Sequence, residues 1–255
     1  MKVAVITLRG SRYGLRLLNA LARQGRRAQV VLVLDDGLAR RLRLLRRVVR
    51  QVGARDAALL AAERQLAAAR ARRERRWRGA PLTTDYAALA DVVVRAGSLQ
   101  QQSAADALHG TDLVLLGQSG IVPAPLLALA SVGTLNAHPG ALPKYRGLDA
   151  PLWALVNEDF DRVGSSLHLV DPGVDTGPVV LRSPYRWRGD ETARGLEERV
   201  YEDCVDLLLR GVELARRGDL SSEAQGPGRY HGVLPRRLRP VAERNLRAFL
   251  ASRAT

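Results

Sequence analysis

Residues 2–34, KVAVITLRGSRYGLRLLNALARQGRRAQVVLVL, set two short β-branched runs on either side of an apolar helical pattern. KVAVITL (2–8) and AQVVLVL (28–34) are nearly unbroken apolar runs, so both faces of each strand are expected to be buried. RGSRYG (9–14) forms a turn between them, and LRLLNALARQG (15–25) repeats leucine at helical spacing. Strand, helix, strand is the opening of a parallel α/β sheet. The expected fold is α/β, a mostly parallel twisted sheet flanked by helices.

The rest of the chain continues in that manner. From Leu38 to Trp77 the pattern is helical and basic, with Leu38, Leu42, Leu45, Val49 and Val52 as a narrow apolar stripe, and RGAP (78–81) ends it. DYAALADVVVRAG (85–97) starts like a helix and has a strand-like centre. DLVLLG (112–117) and VGTLNAH (132–138) are strands, with a short helix, PAPLLALAS (123–131), between them. DAPLWALVNED (149–159) is helical. VGSSLHLV (163–170) and PVVLRSPYRW (178–187) are strands joined by the tight segment DPGVDTG. Residues 190–218 form one long helix or two, GPGRYHG is a loop, and PVAERNLRAFLAS is a last helix. The expected division is a catalytic domain over 1–218, with a basic helical insertion at about 38–80, and a C-terminal loop and helix extension over 219–255.

The chain has 255 residues and a formal net charge of +14. Between Arg40 and Arg78 there are 14 arginines against Asp56, Glu63 and Glu74, so this one segment holds +11 of the charge. Only Lys2 and Lys144 among the 40 basic residues are lysine, a bias that suits codon preference as well as a selected surface. The segment would serve as a solvated face, a lid, a homodimer arm or an acceptor-binding insert. Arg72, Arg73, Arg75 and Arg76 are the residues that would meet a phosphate-bearing acceptor. No apolar run approaches the roughly 20 residues of a membrane span, and the N-terminus lacks the cleavage pattern of a signal peptide. One cysteine, Cys204, rules out an internal disulfide and a multi-cysteine metal site and is expected as a buried thiol. A cytoplasmic protein is the expectation.

Ligands of open α/β sheets bind at the carboxyl ends of the strands. Three such ends carry unusual residues: GQSG after 112–117, Asn136 and His138 at the end of 132–138, and DPGVDTG after 163–170. Asn136 and His138 are two apart and share a strand face. A histidine beside an amide can bind one oxygen as charge develops on it. Asp175 or Asp171 could set the histidine's protonation or relay a proton, although Asp and Gly also suit a tight turn. No serine or cysteine stands in a nucleophile elbow, so the set suits direct attack by a substrate's own nucleophile. The turn with Arg9, Ser11 and Arg12 is a weak candidate for holding an anion. His109, His168 and His231 read as structural, His168 being at most a weak candidate for the pocket.

The segments NAHPGALPKYRG (136–147) and VDPGVDTGPVV (170–180) resemble the catalytic core of the folate-dependent formyltransferases. That family formylates glycinamide ribonucleotide, initiator methionyl-tRNA and nucleotide-linked amino sugars. The resemblance is close over about 110–185 and loose over the first strand, turn and helix. It implies a Rossmann-like sheet, 10-formyltetrahydrofolate as formyl donor, and no metal. It also implies that Asn136 binds the formyl oxygen, that His138 stabilises the reacting centre and takes the amine's proton, and that Asp175 pairs with His138. Val170, Asp171 and Gly173 would line the pterin pocket, with Gln118, Gly120 and Ile121 opposite. Tyr145 and Arg146 would be loop packing or acceptor contacts, and a cis peptide is implied at Leu142–Pro143.

Two departures matter. The family usually has serine and leucine where this chain has Gly140 and Ala141, and the small pair is expected to leave the loop less packed. Arg12 and Tyr13 replace a small phosphate loop, which argues against glycinamide ribonucleotide. The roughly 70 residues after 185 are expected to be mostly helical and not to form the separate β-domain of the tRNA enzyme. The expected activity is N-formylation of a small biosynthetic amine, with a nucleotide-linked amino sugar foremost. Amino acids, hydroxylamines and aminoacyl-tRNA are alternatives. From another class comes a non-catalytic module that binds nucleic acid or an anionic surface through the basic segment.

Overall fold

The computed structural model describes residues 1–35, 37–73, 76–77 and 80–253. Val3–Leu8 (β1) and Ala28–Leu34 (β2) flank the helix Arg12–Arg23 (α1). The two helices Leu38–Val52 (α2) and Ala54–Arg73 (α3) follow, then the short pair Arg76–Trp77 (β3) and Ala80–Pro81 (β4). Gly53, at φ 83°, breaks the basic segment into two helices where the apolar stripe runs out. Ala90–Ala96 (β5) is the strand within the ambiguous 85–97 stretch. Gln102–Leu108 (α4), Leu113–Gly117 (β6), Ala124–Leu127 (α5) and Gly133–His138 (β7) come next. The remainder is Tyr145–Gly147 (β8), Ala150–Val156 (α6), Gly164–Leu169 (β9), Val179–Pro184 (β10), Ala193–Arg217 (α7), Arg229–His231 (β11) and Arg239–Arg253 (α8).

Seven strands form the main sheet in the order β10-β9-β7-β6-β1-β2-β5. β5, β2, β1, β6 and β7 run parallel, and β9 and β10 are antiparallel additions at one edge. The central strands are buried on both faces, as their unbroken apolar runs require. One face packs against α1 and α7 through Leu17, Leu18, Cys204, Leu208 and Val212. The other packs against α4 and α5 through Leu99, Leu108 and Leu126. Each fully buried leucine contributes about 1.5–3 kcal/mol, so these two layers hold the sheet on which the site is built.

The polar punctuation sets the helix ends. Ser11 caps α1 by accepting from the Gly14 amide at 3.0 Å. Thr192 caps α7 from Gly195, and Gly218 ends it in the left-handed conformation. Residues 193–217 are therefore one helix of 25 residues.

The segment beyond Gly218 folds back on the body. β11 pairs in parallel with β8, so GPGRYHG is in part a strand and not wholly a loop. Trp153 Nε1 donates to the Gly232 carbonyl at 2.9 Å, and Ala242 and Leu246 of α8 join the core formed by α6 and the first turns of α7. The basic insertion also docks here: Val48, Ala57 and Leu60 pack on Val233 in a small core of their own, and Gln51 accepts from the Val233 amide at 3.3 Å. Among the described residues, no helix is long and apolar enough to cross a membrane.

Candidate active site

β9 runs antiparallel beside β7 into the loop 170–175, whereas β6 and β7 end side by side. A cavity of about 280 Å³ opens over their ends, lined by the loop after β6, the end of β7, residues 170–175, Gly147 and Leu148, with Arg47 and Tyr230 at its side. Asn136 and His138 rise from β7 into it, as their two-residue spacing predicts. The antiparallel register sets Asn136 opposite His168 and His138 opposite Ser166.

His138 is almost fully buried, and its Nε2 lies 2.7 Å from the Tyr145 carbonyl oxygen. A carbonyl only accepts, so Nε2 carries the proton and Nδ1 is left facing Asp175 Oδ2 at 3.5 Å. Burial holds the His138 pKa below its ordinary value against the opposing pull of Asp175 and the Tyr145 carbonyl, so the ring is neutral and able to take a proton at Nδ1. Asp175 is the counterpart. Burial pushes its carboxyl up, but His168, His138 and the Gly147 amide outweigh that and bring it to about 2. The Gly147 N–H donates to Asp175 Oδ2 at 2.9 Å.

His168 belongs to this group, contrary to its expected structural role. Its Nδ1–H donates to the Leu169 carbonyl at 2.8 Å, and its Nε2 lies 3.1 Å from Asn136 Nδ2 and 3.6 Å from Asp175 Oδ1. His168 Nε2 thus stands between the Asn136 amide and the Asp175 carboxylate and orients both. Strand alternation could have found His168, because it shares the inward face of β9 with Ser166.

Two of the four non-glycine residues at positive φ among the described residues stand here. Gln118 (φ 77°) and Asp175 (φ 53°) both adopt the left-handed conformation, which costs a residue with a side chain about 1 kcal/mol or more. Gln118 is held by its carbonyl, which accepts from the Leu8 amide at 3.0 Å, and by Ser11 Oγ, which donates to its side-chain oxygen at 2.8 Å. The Asp175 loop is held by Asp171, which accepts from Thr176 Oγ1 at 2.6 Å, and by Gln225, whose amide donates to the Asp175 carbonyl at 3.1 Å. Arg146 supports Gln225 in turn, donating to its side-chain oxygen at 3.2 Å.

Gln118, Gly120, Ile121, Val170, Asp171 and Gly173 all line the cavity. Arg9, Ser11, Arg12, Tyr145 and Arg146 are not among its lining residues. Ser11 is occupied as cap and anchor, and Arg9 reaches Asp35 at 3.4 Å. Tyr145 is buried and donates its hydroxyl to Asp159 at 2.9 Å, so it contributes its carbonyl to His138 and not its ring to the cavity. The Leu142–Pro143 peptide is cis. Gly140 overturns the expectation of a loosely packed loop. A Cβ there would meet His138 Nε2 at 2.7 Å and the Tyr145 carbonyl oxygen at 2.8 Å, so glycine is what lets the loop close on the histidine. His231, also expected to be structural, stacks on Tyr145 at 5.1 Å behind the site. The side chains of Arg72, Arg73, Arg75 and Arg76 lie outside the described residues.

Neither Arg47 nor Tyr230 stands out in the sequence. Arg47 is one of 14 arginines in its segment, and its partner is 183 residues away.

Comparisons with known proteins bear on the family and the fold. The chain is 38% identical over 120 residues to a methionyl-tRNA formyltransferase of Desulfotalea psychrophila, a match covering 47% of this chain and 37% of that protein. A methionyl-tRNA formyltransferase of Trichlorobacter lovleyi is 33% identical over 120 residues, with the same two coverages. The matched region thus spans well under half the length of these relatives. Among solved structures, the N-formyltransferase of Helicobacter canadensis in complex with folinic acid and dTDP-3-aminofucose superposes with TM-score 0.59 at 15% identity, over 98% of this chain and 81% of that one. Glycinamide ribonucleotide transformylase 1 of Symbiobacterium toebii gives TM-score 0.54 at 22% identity, over 89% and 95%. These likenesses are of fold. The sequence pattern of the Formyl transferase family matches residues 1–212, and the chain belongs to that family.

Proposed function

We propose that the protein is a folate-dependent N-formyltransferase that moves a formyl group from 10-formyltetrahydrofolate to the amine of a small biosynthetic substrate, foremost a nucleotide-linked amino sugar. The observation that carries this reading is that Asn136, His138, His168 and Asp175 come together in the wall of one cavity of about 280 Å³. Leu116, Ile121, Val122, Val170 and Val174 supply apolar walls, and Gly120 and Gly173 keep the loop backbones close. When bound there, the folate supplies an activated formyl carbon.

The protein's own groups then divide the work. Asn136, oriented by His168, donates an N–H to the formyl oxygen as negative charge develops on it. His138 takes the amine's proton at Nδ1 while Nε2–H stays on the Tyr145 carbonyl, and that proton passes to the folate N10 as its bond to the formyl carbon breaks. Asp175, ionised across the working pH range, stabilises the imidazolium that results.

A second reading is formylation of an aminoacyl-tRNA, favoured by the curated relatives that match over the catalytic segment. An acceptor screen with 10-formyltetrahydrofolate tests both. The expected product is a nucleotide-linked sugar heavier by one CO. A gain confined to aminoacyl-tRNA, weakened steeply by salt, would favour the second reading. No transfer to any amine would overturn both.

A further inference from the structure

We infer that Arg47 and Tyr230 form the site that holds a phosphate or diphosphate group of the amine substrate. The inference rests on the proposed transfer to a phosphate-bearing amine and names the contact that would select it. Arg47 stands on the basic insertion, on α2, and Tyr230 on β11 near the C-terminus, so the two elements meet only through the fold. Both line the same cavity as His138 and Asp175.

The connection to the reacting centre is short and continuous. The Arg47 guanidinium donates to the Tyr230 hydroxyl and lies 5.7 Å from that ring's centroid. The Tyr230 ring lies against Gly147, where an added Cβ would meet it at 2.7 Å, and the Gly147 amide donates to Asp175. Gly147, at φ 96°, has no room for a side chain, so the phenol stays within one backbone segment of the catalytic carboxylate.

Charge completes the argument. Both cavity carboxylates are engaged: Asp171 accepts from Thr176 and the Gly173 amide, and Asp175 faces the two histidines and Gly147. Arg47 is the one arginine or lysine among the described lining residues, and its partner is a neutral phenol. Arg46 and Arg50 flank it on α2, and none of the three makes an ion pair with a described residue. A guanidinium with no carboxylate partner among the described residues, and a hydroxyl lining the same cavity, suit phosphate oxygens, for which the planar fork of arginine is well matched.

Inorganic pyrophosphate is the probe. Its binding and that of 5-formyltetrahydrofolate are measured by calorimetry on the full chain and on Arg47→Gln, Arg47→Lys and Tyr230→Phe, at low and high salt, with thermal unfolding alongside. The expected result is salt-sensitive pyrophosphate binding that weakens about tenfold in Arg47→Gln, the scale of one charge-assisted contact. Arg47→Lys is expected to recover part of it, and folate affinity to stay within about twofold in every variant. Pyrophosphate binding by Arg47→Gln equal to that of the unaltered protein, with a lowered melting temperature, would make Arg47 a mere clamp on the insertion and overturn the inference. A loss of folate affinity instead would show that Arg47 meets the folate's own carboxylates, and would overturn it too. Arg47-dependent pyrophosphate binding in a protein that formylates no nucleotide-linked sugar would uphold this inference while the substrate reading fails.

Discussion

Asp175→Asn separates the charge of the carboxylate from its shape. The variant keeps an oxygen for the Gly147 N–H and removes the negative charge facing His138 and His168. Asp175 falls from 3.8 to about 2 in the folded protein, and its side chain is only 14% exposed. A depression of that size is worth roughly 2 kcal/mol of stability. Because the folded value lies below the unfolded one, that stability is fully present above about pH 4 and is lost as pH falls towards 2. At neutral pH the variant should melt up to about 4–8 °C lower, at the few degrees per kcal/mol usual for a chain of this size. Its acid unfolding should lose the step between pH 4 and 2. Turnover, measured with an acceptor from the screen, should fall about a hundredfold, the scale of one acid–base or electrostatic contribution. Binding of 5-formyltetrahydrofolate should persist. Unchanged turnover together with an unchanged acid limb would refute the pairing of Asp175 with the histidines.

Two further tests need less. Gly140→Ala places a Cβ against His138 Nε2 and the Tyr145 carbonyl, so it should cost about 1–3 kcal/mol in thermal unfolding and reduce turnover at least about tenfold; normal values for both would show that the loop has slack. Cys204 is fully buried, and that burial pushes its thiol well above the ordinary range, so alkylation followed by mass should find it inert in the native protein and reactive on unfolding.

The sheet was legible because its strands are buried on both faces and appear as unbroken apolar runs, as in β1, β2 and β6. Asn136, His138, Asp175, Val170, Asp171 and Gly173 were legible because they sit in two motifs close in sequence, and Gln118, Gly120 and Ile121 because they follow the end of another strand, β6. Other parts were hidden for physical reasons. α4, with the sequence QSAADAL, buries only Ala104 and Leu108 and offers little apolar periodicity. β11 is three residues long and owes its existence to pairing with β8, which no local propensity signals. Arg47 meets Tyr230 only because α2 packs on the C-terminal segment through Val48 and Val233. Gly140 looked like a gap in the loop, and only the positions of His138 and Tyr145 show that there is none.

The central claim is that His138 drives formyl transfer from this cavity, and His138→Ala tests it most directly. Single-turnover transfer from 10-formyltetrahydrofolate should be at least about a hundredfold slower than in the unaltered protein, while 5-formyltetrahydrofolate still binds within about twofold. Transfer at the unaltered rate by His138→Ala would contradict the account.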